Sequence, residues 1–200
     1  MAEPIHFYFD FSSPFGYIAS ERIEAVAAEL GREVAWHPIL LGATFKETGV
    51  KPLIEVPLKG DYSRRDMERA ARQHGIAYLV PESFPFASIA ACRAVYWAQE
   101  RHPGRATALI HALYRAAWQQ GRDIGTAEAV IEVAGEAGFD KEEVKAALQD
   151  PAVKDRLRQA VEASLAAGVC GSPFMIADGE PFWGNDRLEQ MAEWVRSGGW

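Results

Sequence analysis

The first 37 residues leave a folding chain few options. Ile5-His6-Phe7-Tyr8-Phe9-Asp10-Phe11 is an almost unbroken apolar and aromatic run, the pattern of a strand buried on both faces. Ser12-Ser13-Pro14 then opens a helix, with serine at the cap and proline at the first helical position. Phe15, Ile18, Ile23, Val26 and Leu30 recur at spacings near three and four, and Gly31 offers a stop. Glu33-Val34-Ala35-Trp36-His37 alternates as a second strand. A strand, a helix and a strand in so short a span make a βαβ unit, since parallel strands need a crossover of about a dozen residues or more.

The rest of the chain sorts into two textures. From 42 to 80 it is loop-rich, with Gly49, Pro52, Pro57 and Gly60 preceding a short helix near 64–74. Helical periodicity then predicts helices at 87–101, 105–120, 126–137, 141–149 and 152–167, the last with Val153, Leu157, Val161 and Leu165 along one face. At Ser172 the pattern reverts: Phe174–Ala177 and Pro181–Trp183 flank Asp178-Gly179, a hairpin signal. Gly184-Asn185-Asp186 opens a final helix with Leu188, Met191 and Val195 on its inner face. The order β-α-β, helices, β-β-α predicts an α/β fold in which an all-α insertion, residues 43–167, interrupts a domain made of 1–42 and 168–200.

Composition narrows the function classes. The chain has 200 residues, 48% hydrophobic and 24% charged, which suits a globular protein with a large core. Its net charge of -7 carries no basic footprint, so nucleic acid is excluded as a partner. Met1-Ala2-Glu3-Pro4 shows neither a basic start nor an apolar stretch, and no window approaches the roughly 18 apolar residues of a membrane span. No membrane association and a cytoplasmic location are therefore expected. The histidines have no metal-ligand spacing, so no metal is expected. Cys92 and Cys170 lie far apart with no CxxC, and read as small buried hydrophobes.

Several motifs stand in a fixed order: Phe9-Asp10-Phe11-Ser12-Ser13-Pro14-Phe15-Gly16-Tyr17, Gly168-Val169-Cys170-Gly171-Ser172-Pro173-Phe174, and Phe182-Trp183-Gly184-Asn185-Asp186-Arg187-Leu188. With Lys46-Glu47-Thr48-Gly49-Val50-Lys51-Pro52 and Pro57-Leu58-Lys59-Gly60-Asp61-Tyr62 between them, the chain resembles the 2-hydroxychromene-2-carboxylate isomerases and kappa-class glutathione transferases. These are a branch of the DsbA-like proteins with a thioredoxin-like fold. Ser13-Pro14-Phe15-Gly16 stands where redox relatives carry Cys-x-x-Cys, which leaves no attacking or resolving thiol.

On the residues alone, Ser13 is a helix cap, Pro173 a strand-opening proline, and Asn185 and Asp186 a cap with an acidic first-turn residue. The resemblance implies further roles. Glutathione would be the cofactor, with the Ser13 hydroxyl beside its sulfur as the catalytic group. Ser172, before a cis Pro173, would pair with its cysteinyl backbone, and Asn185 and Asp186 would hold its γ-glutamyl end. Lys46 and Lys59 would face the carboxylate of a small aromatic substrate. Val50 departs from the family, which usually has asparagine there, and cannot make the side-chain hydrogen bond. The implied activity is isomerisation of an aromatic 2-oxo acid or its cyclic chromene form by reversible thiolate addition, in a homodimer. The rival readings are a kappa-like transferase that consumes glutathione, and a redox-inactive DsbA-like binding module.

Overall fold

The computed structural model describes residues 2–200. Strands β1 (Ile5–Phe9) and β2 (Val34–Pro38) lie parallel, with Phe7 opposite Trp36, and α1 (Pro14–Glu29) crosses between them. Strands β3 (Phe174–Ala177) and β4 (Glu180–Trp183) form the expected hairpin. β3 returns to the free edge of β1 in antiparallel register, Phe7 opposite Met175, giving one mixed sheet of order β2-β1-β3-β4. The distant ends of the chain thus share a single sheet.

The intervening chain folds as α2 (Leu41–Thr48), α3 (Lys59–Gln73), α4 (Ile89–Arg101), α5 (Pro103–Trp118), α6 (Ala127–Glu136), α7 (Lys141–Gln149) and α8 (Pro151–Ala166). A short 3₁₀ turn at Asn185–Arg187 leads into α9 (Leu188–Ser197). The buried core runs without a break from Ile5, Phe7 and Phe9 of β1 into Tyr114 and Trp118 of α5. Polar atoms of the helices also tie down the strand ends. Trp118 Nε1 donates to the Phe11 carbonyl at 2.7 Å, and the Tyr96 hydroxyl to that of Pro38 at 2.8 Å.

Three expectations need correction. β1 ends at Phe9 rather than Phe11, because the Asp10 carboxylate accepts the Ser12 N–H two residues on, and this Asx-turn bends the chain out of the sheet. The region 42–80 is not mainly loop: α2 occupies 41–48, and α3 starts at Lys59, earlier than periodicity suggested. The α2 start has no local cap, and its Leu41 N–H is accepted at 2.6 Å by Asp10 Oδ2 from the other end of the βαβ unit. Cys92 is buried as expected, but Cys170 is exposed, because it lies in the bend before β3 rather than on a core-facing position.

The first turn of α1 is pressed between the two ends of the site. A methyl group added at Gly16 would stand 2.7 Å from Tyr114 Oη and 2.9 Å from Ser172 Oγ. Farther along, Glu21 of α1 takes both Nε and Nη2 of Arg115 at 2.9 and 2.8 Å, and His111 Nδ1 stands 3.7 Å away. Burial pushes the Glu21 carboxyl up, but hydrogen bonds and charge from His111 and Arg115 outweigh it and bring it down from 4.5 to about 2. On β2, burial and the neighbouring His6 and Arg156 hold His37 down from 6.5 to about 4.

Two outcomes follow from this packing. Gly16→Ala should lower stability by about 1–3 kcal/mol through overpacking, although alanine is intrinsically the better helix former. Gly104→Ala, where the methyl meets nothing within 4 Å, should not lower it; paired urea melts check both. Second, stability held by a depressed group is present above its unfolded pKa and lost as pH falls to its folded value. The melting temperature should therefore drop in two stages, from 6.5 to about 4 as His37 is forced to charge and from 4.5 to about 2 as Glu21 takes a proton. Thermal melts of Glu21→Gln across this range should lose the second stage and keep the first.

Candidate functional site

The site is organised around Asp10, a residue 2% exposed, whose polar groups are all engaged. Its N–H donates to Ser172 Oγ at 2.9 Å, and its carbonyl accepts from the Ser13 N–H and the Tyr114 hydroxyl. Its Oδ1 accepts from both the N–H and the hydroxyl of Ser12, and its Oδ2 from Leu41 N–H. Burial raises its pKa, and the donors from Leu41, Ser12 and Ser88 pull against that rise. β1, α2, α5 and the Ser172 bend therefore converge on one residue. Sequence reading passed over Asp10 and Tyr114; the signal available was a lone carboxylate inside an otherwise apolar strand run.

Ser13 stands at the N-terminus of α1 and is 5% exposed. Its Oγ accepts the Gly16 N–H at 3.0 Å and donates to the Ser172 carbonyl at 2.8 Å. The capping reading and the site reading are thus not alternatives, since one hydroxyl serves the helix with its lone pair and Ser172 with its proton. The Ser172–Pro173 bond is cis, and the Pro173 carbonyl accepts the Gly184 N–H at 3.0 Å. Ser13, Ser172, Pro173 and the Gly184 turn are brought together.

Beside them opens a cleft of ≈ 710 Å³ whose floor includes Phe15, Ser172 and Pro173. One wall is α3, with Tyr62, Asp66, Arg69, Gln73 and His74. The other is the β4 end and the turn after it, with Trp183, Gly184, Asn185, Asp186 and Arg187. Gly184 has a φ of 117°, a conformation open to glycine, and the turn it makes sets the exposed Asp186 on the cleft lining, its Oδ2 3.4 Å from Arg187 Nη1. Arg22 of α1 fixes that turn: its guanidinium donates to the Asn185 carbonyl at 3.3 Å and pairs with Glu189. Arg69 pairs with Asp66 and donates to the Tyr62 hydroxyl at 3.2 Å.

Lys46 and Lys59 are exposed and stand outside the walls of this cleft, as does Val50. The cations that do line it are Arg69 and Arg187. The placement of Arg69 was not legible, because Arg65, Arg69 and Arg72 read as one mixed-charge helix face and only the packing of α3 separates them. Among the described residues no group of three or more histidine, cysteine, aspartate or glutamate side chains is arranged to hold a metal ion. Among the same residues no helix is long and apolar enough to cross a membrane.

Comparison with known proteins agrees with this geometry. Residues 4–196 match the DSBA-like thioredoxin domain family. The 2-hydroxychromene-2-carboxylate isomerase of Sphingobium xenophagum is 30% identical over 98% of this chain and 99% of its own. Glutathione S-transferase kappa 1 of Homo sapiens is 24% identical over 94% of this chain and 88% of its own. A solved 2-hydroxychromene-2-carboxylate isomerase superposes with a TM-score of 0.87 at 27% identity, covering 96% of this chain and 94% of that one. With the sheet order, the serine at the head of α1 and the match along nearly its whole length, this chain belongs to the DSBA-like thioredoxin family, in the branch of the 2-hydroxychromene-2-carboxylate isomerases and kappa-class glutathione transferases.

Proposed function

We propose that this protein is a glutathione-dependent isomerase of the 2-hydroxychromene-2-carboxylate type, acting on an aromatic 2-oxo acid or its cyclic form. The observation that carries the reading is the Ser13 hydroxyl: it heads α1 and points its proton at the carbonyl beside cis Pro173. The donor set suits the tripeptide. The Asp186 carboxylate can accept an α-ammonium group, Arg69 and Arg187 can take carboxylates, and the Ser172 carbonyl has a second lone pair for a peptide N–H. Bound there, glutathione supplies a thiolate that adds reversibly to a conjugated electrophile and is released again.

The chain's own residues favour that thiolate in two ways. When a ligand N–H takes over the Ser172 carbonyl, Ser13 is free to turn its proton toward sulfur while its lone pair keeps capping α1. A hydrogen bond to a charged group contributes about 1.5–3 kcal/mol, against about 0.5–1.5 for the neutral bond given up. The N-terminus of α1 adds about 0.3–1 kcal/mol for a negative charge. Together these lower a thiol from near 8.5 by roughly one to two units, at 1.36 kcal/mol per unit. Ser13 is on this account a thiolate stabiliser and not a nucleophile, and Asn185 and Asp186 hold the far end of the peptide.

The reading carries a homodimer, which the family resemblance implies, a cytoplasmic setting, and, from the order of elements along the chain, a peptide-binding domain of 1–42 and 168–200 around the helical insertion 43–167. Light scattering tests the first of these. The kappa relatives favour one rival, a transferase that conjugates electrophiles. Thiol titration during turnover separates the two: glutathione should stay constant while 2-hydroxychromene-2-carboxylate is converted, and its stoichiometric loss would establish the transferase. Ser13→Ala should slow turnover about ten- to a hundredfold at neutral pH and move the low-pH limb of the rate profile upward. It should also cost about 1 kcal/mol of stability through the lost cap. A limb that stays in place would reduce Ser13 to a helix cap.

A further inference from the structure

The 3₁₀ turn Asn185–Arg187 has three residues and little of its own to hold it. Its entry is tied to the cleft floor, because the Gly184 N–H donates to the Pro173 carbonyl at 3.0 Å. Its second tie is Arg22. That guanidinium donates from Nη1 to the Asn185 carbonyl at 3.3 Å, and from Nη2 to the carboxylate of Glu189 in the first turn of α9. A guanidinium is a rigid fork, so two acceptors on it are set relative to each other as well as to α1. The Arg22 side chain is 14% exposed and does not line the cleft, so a ligand there meets the turn and not the arginine. Ser13 heads the same helix nine positions earlier, about 13.5 Å along its axis. One stiff element therefore sets the span between the serine and the turn.

We infer that Arg22 is a positioning residue for the γ-glutamyl end of glutathione, a role that rests on the glutathione reading above. It acts through the turn, holding Asn185 and Asp186 at the span from Ser13 that the tripeptide requires. The group recognised at that end carries an α-ammonium beside a carboxylate, and Asp186 and Arg187 offer the opposite charges 3.4 Å apart. Their side chains are 68% and 51% exposed, so packing contributes little to their placement and the backbone of the turn decides it. Arg22 grips that backbone from behind, at the carbonyl next to Asp186.

Calorimetric titration with glutathione and with cysteinylglycine, which lacks the γ-glutamyl group, isolates this role. The wild-type protein should bind glutathione the more tightly of the two. Arg22→Met keeps the apolar stem of the side chain and removes both bonds. It should weaken glutathione about five- to twentyfold, part of what a charged hydrogen bond contributes. Cysteinylglycine should stay within about twofold, as expected for a site that the turn does not reach. Arg22→Lys, which keeps the charge on a single ammonium, should recover part of the loss. In turnover Arg22→Met should raise KM for glutathione, while kcat at saturating glutathione and the low-pH limb of the rate profile stay in place. Equal weakening of both thiols, unchanged glutathione affinity, or a displaced low-pH limb would each overturn the role. Wild-type binding of glutathione no tighter than that of cysteinylglycine would overturn it too, by removing the γ-glutamyl subsite. No binding of glutathione to the wild type would sink the glutathione reading itself, whereas binding that Arg22→Met leaves untouched sinks Arg22 alone.

Discussion

A buried carboxylate with no cation beside it is costly unless every lone pair is met. Asp10 meets that condition with donors drawn from distant parts of the chain: Ser12 from its own turn, Leu41 from the head of α2, and Ser88 from before α4. Its backbone engages Tyr114 of α5 and Ser172 of the bend before β3. Because each donor would be left unpaired if its element shifted, the positions of these elements are coupled. The site is built on that coupling, since Ser13 and Ser172 are the residues Asp10 holds through its carbonyl and its N–H.

Replacing a thiol pair by serine changes what the head of α1 can do. A thiolate stores charge and exchanges electrons; a hydroxyl stays neutral and offers one proton and two lone pairs. Here one lone pair is occupied by the Gly16 N–H and the proton by the Ser172 carbonyl. The hydroxyl is therefore oriented in advance by bonds that a ligand backbone can exchange one for one. Arg22 gives the opposite side of the cleft a similar firmness, anchoring the Asn185 turn to the same helix that carries Ser13. Both ends of the cleft thus refer to α1.

Sequence alone disclosed the frame because its signals are local. An unbroken apolar run, a Ser-Pro helix start and an Asp-Gly turn each act within a few residues, and β1, α1 and the hairpin stand where those signals lie. It failed at α2, whose first N–H is accepted by Asp10, a partner that no local window contains. It failed in the same way for Trp183, whose pose depends on Gly171 across a turn, and for Cys170, whose exposure is set by the bend rather than by its hydrophobicity. Motif resemblance brought Ser13, Ser172, Asn185 and Asp186 into view together. Arg69 emerged as a cleft residue only once α3 was packed.

The sheet order has a consequence for how the chain assembles. β1 is the innermost strand of the opening unit, yet its second edge is filled by β3, which follows the entire run from α2 to α8 in the sequence. Until that late segment arrives, an apolar strand has an unpaired edge, the kind of template that invites pairing with another chain. The helices emerging in between form by contacts between near neighbours and can pack first. In the folded chain they set Trp118 and Tyr114 on the Phe11 and Asp10 carbonyls just past the end of β1. The edge of β1 is thus completed only by strands that lie beyond the whole helical region in the chain.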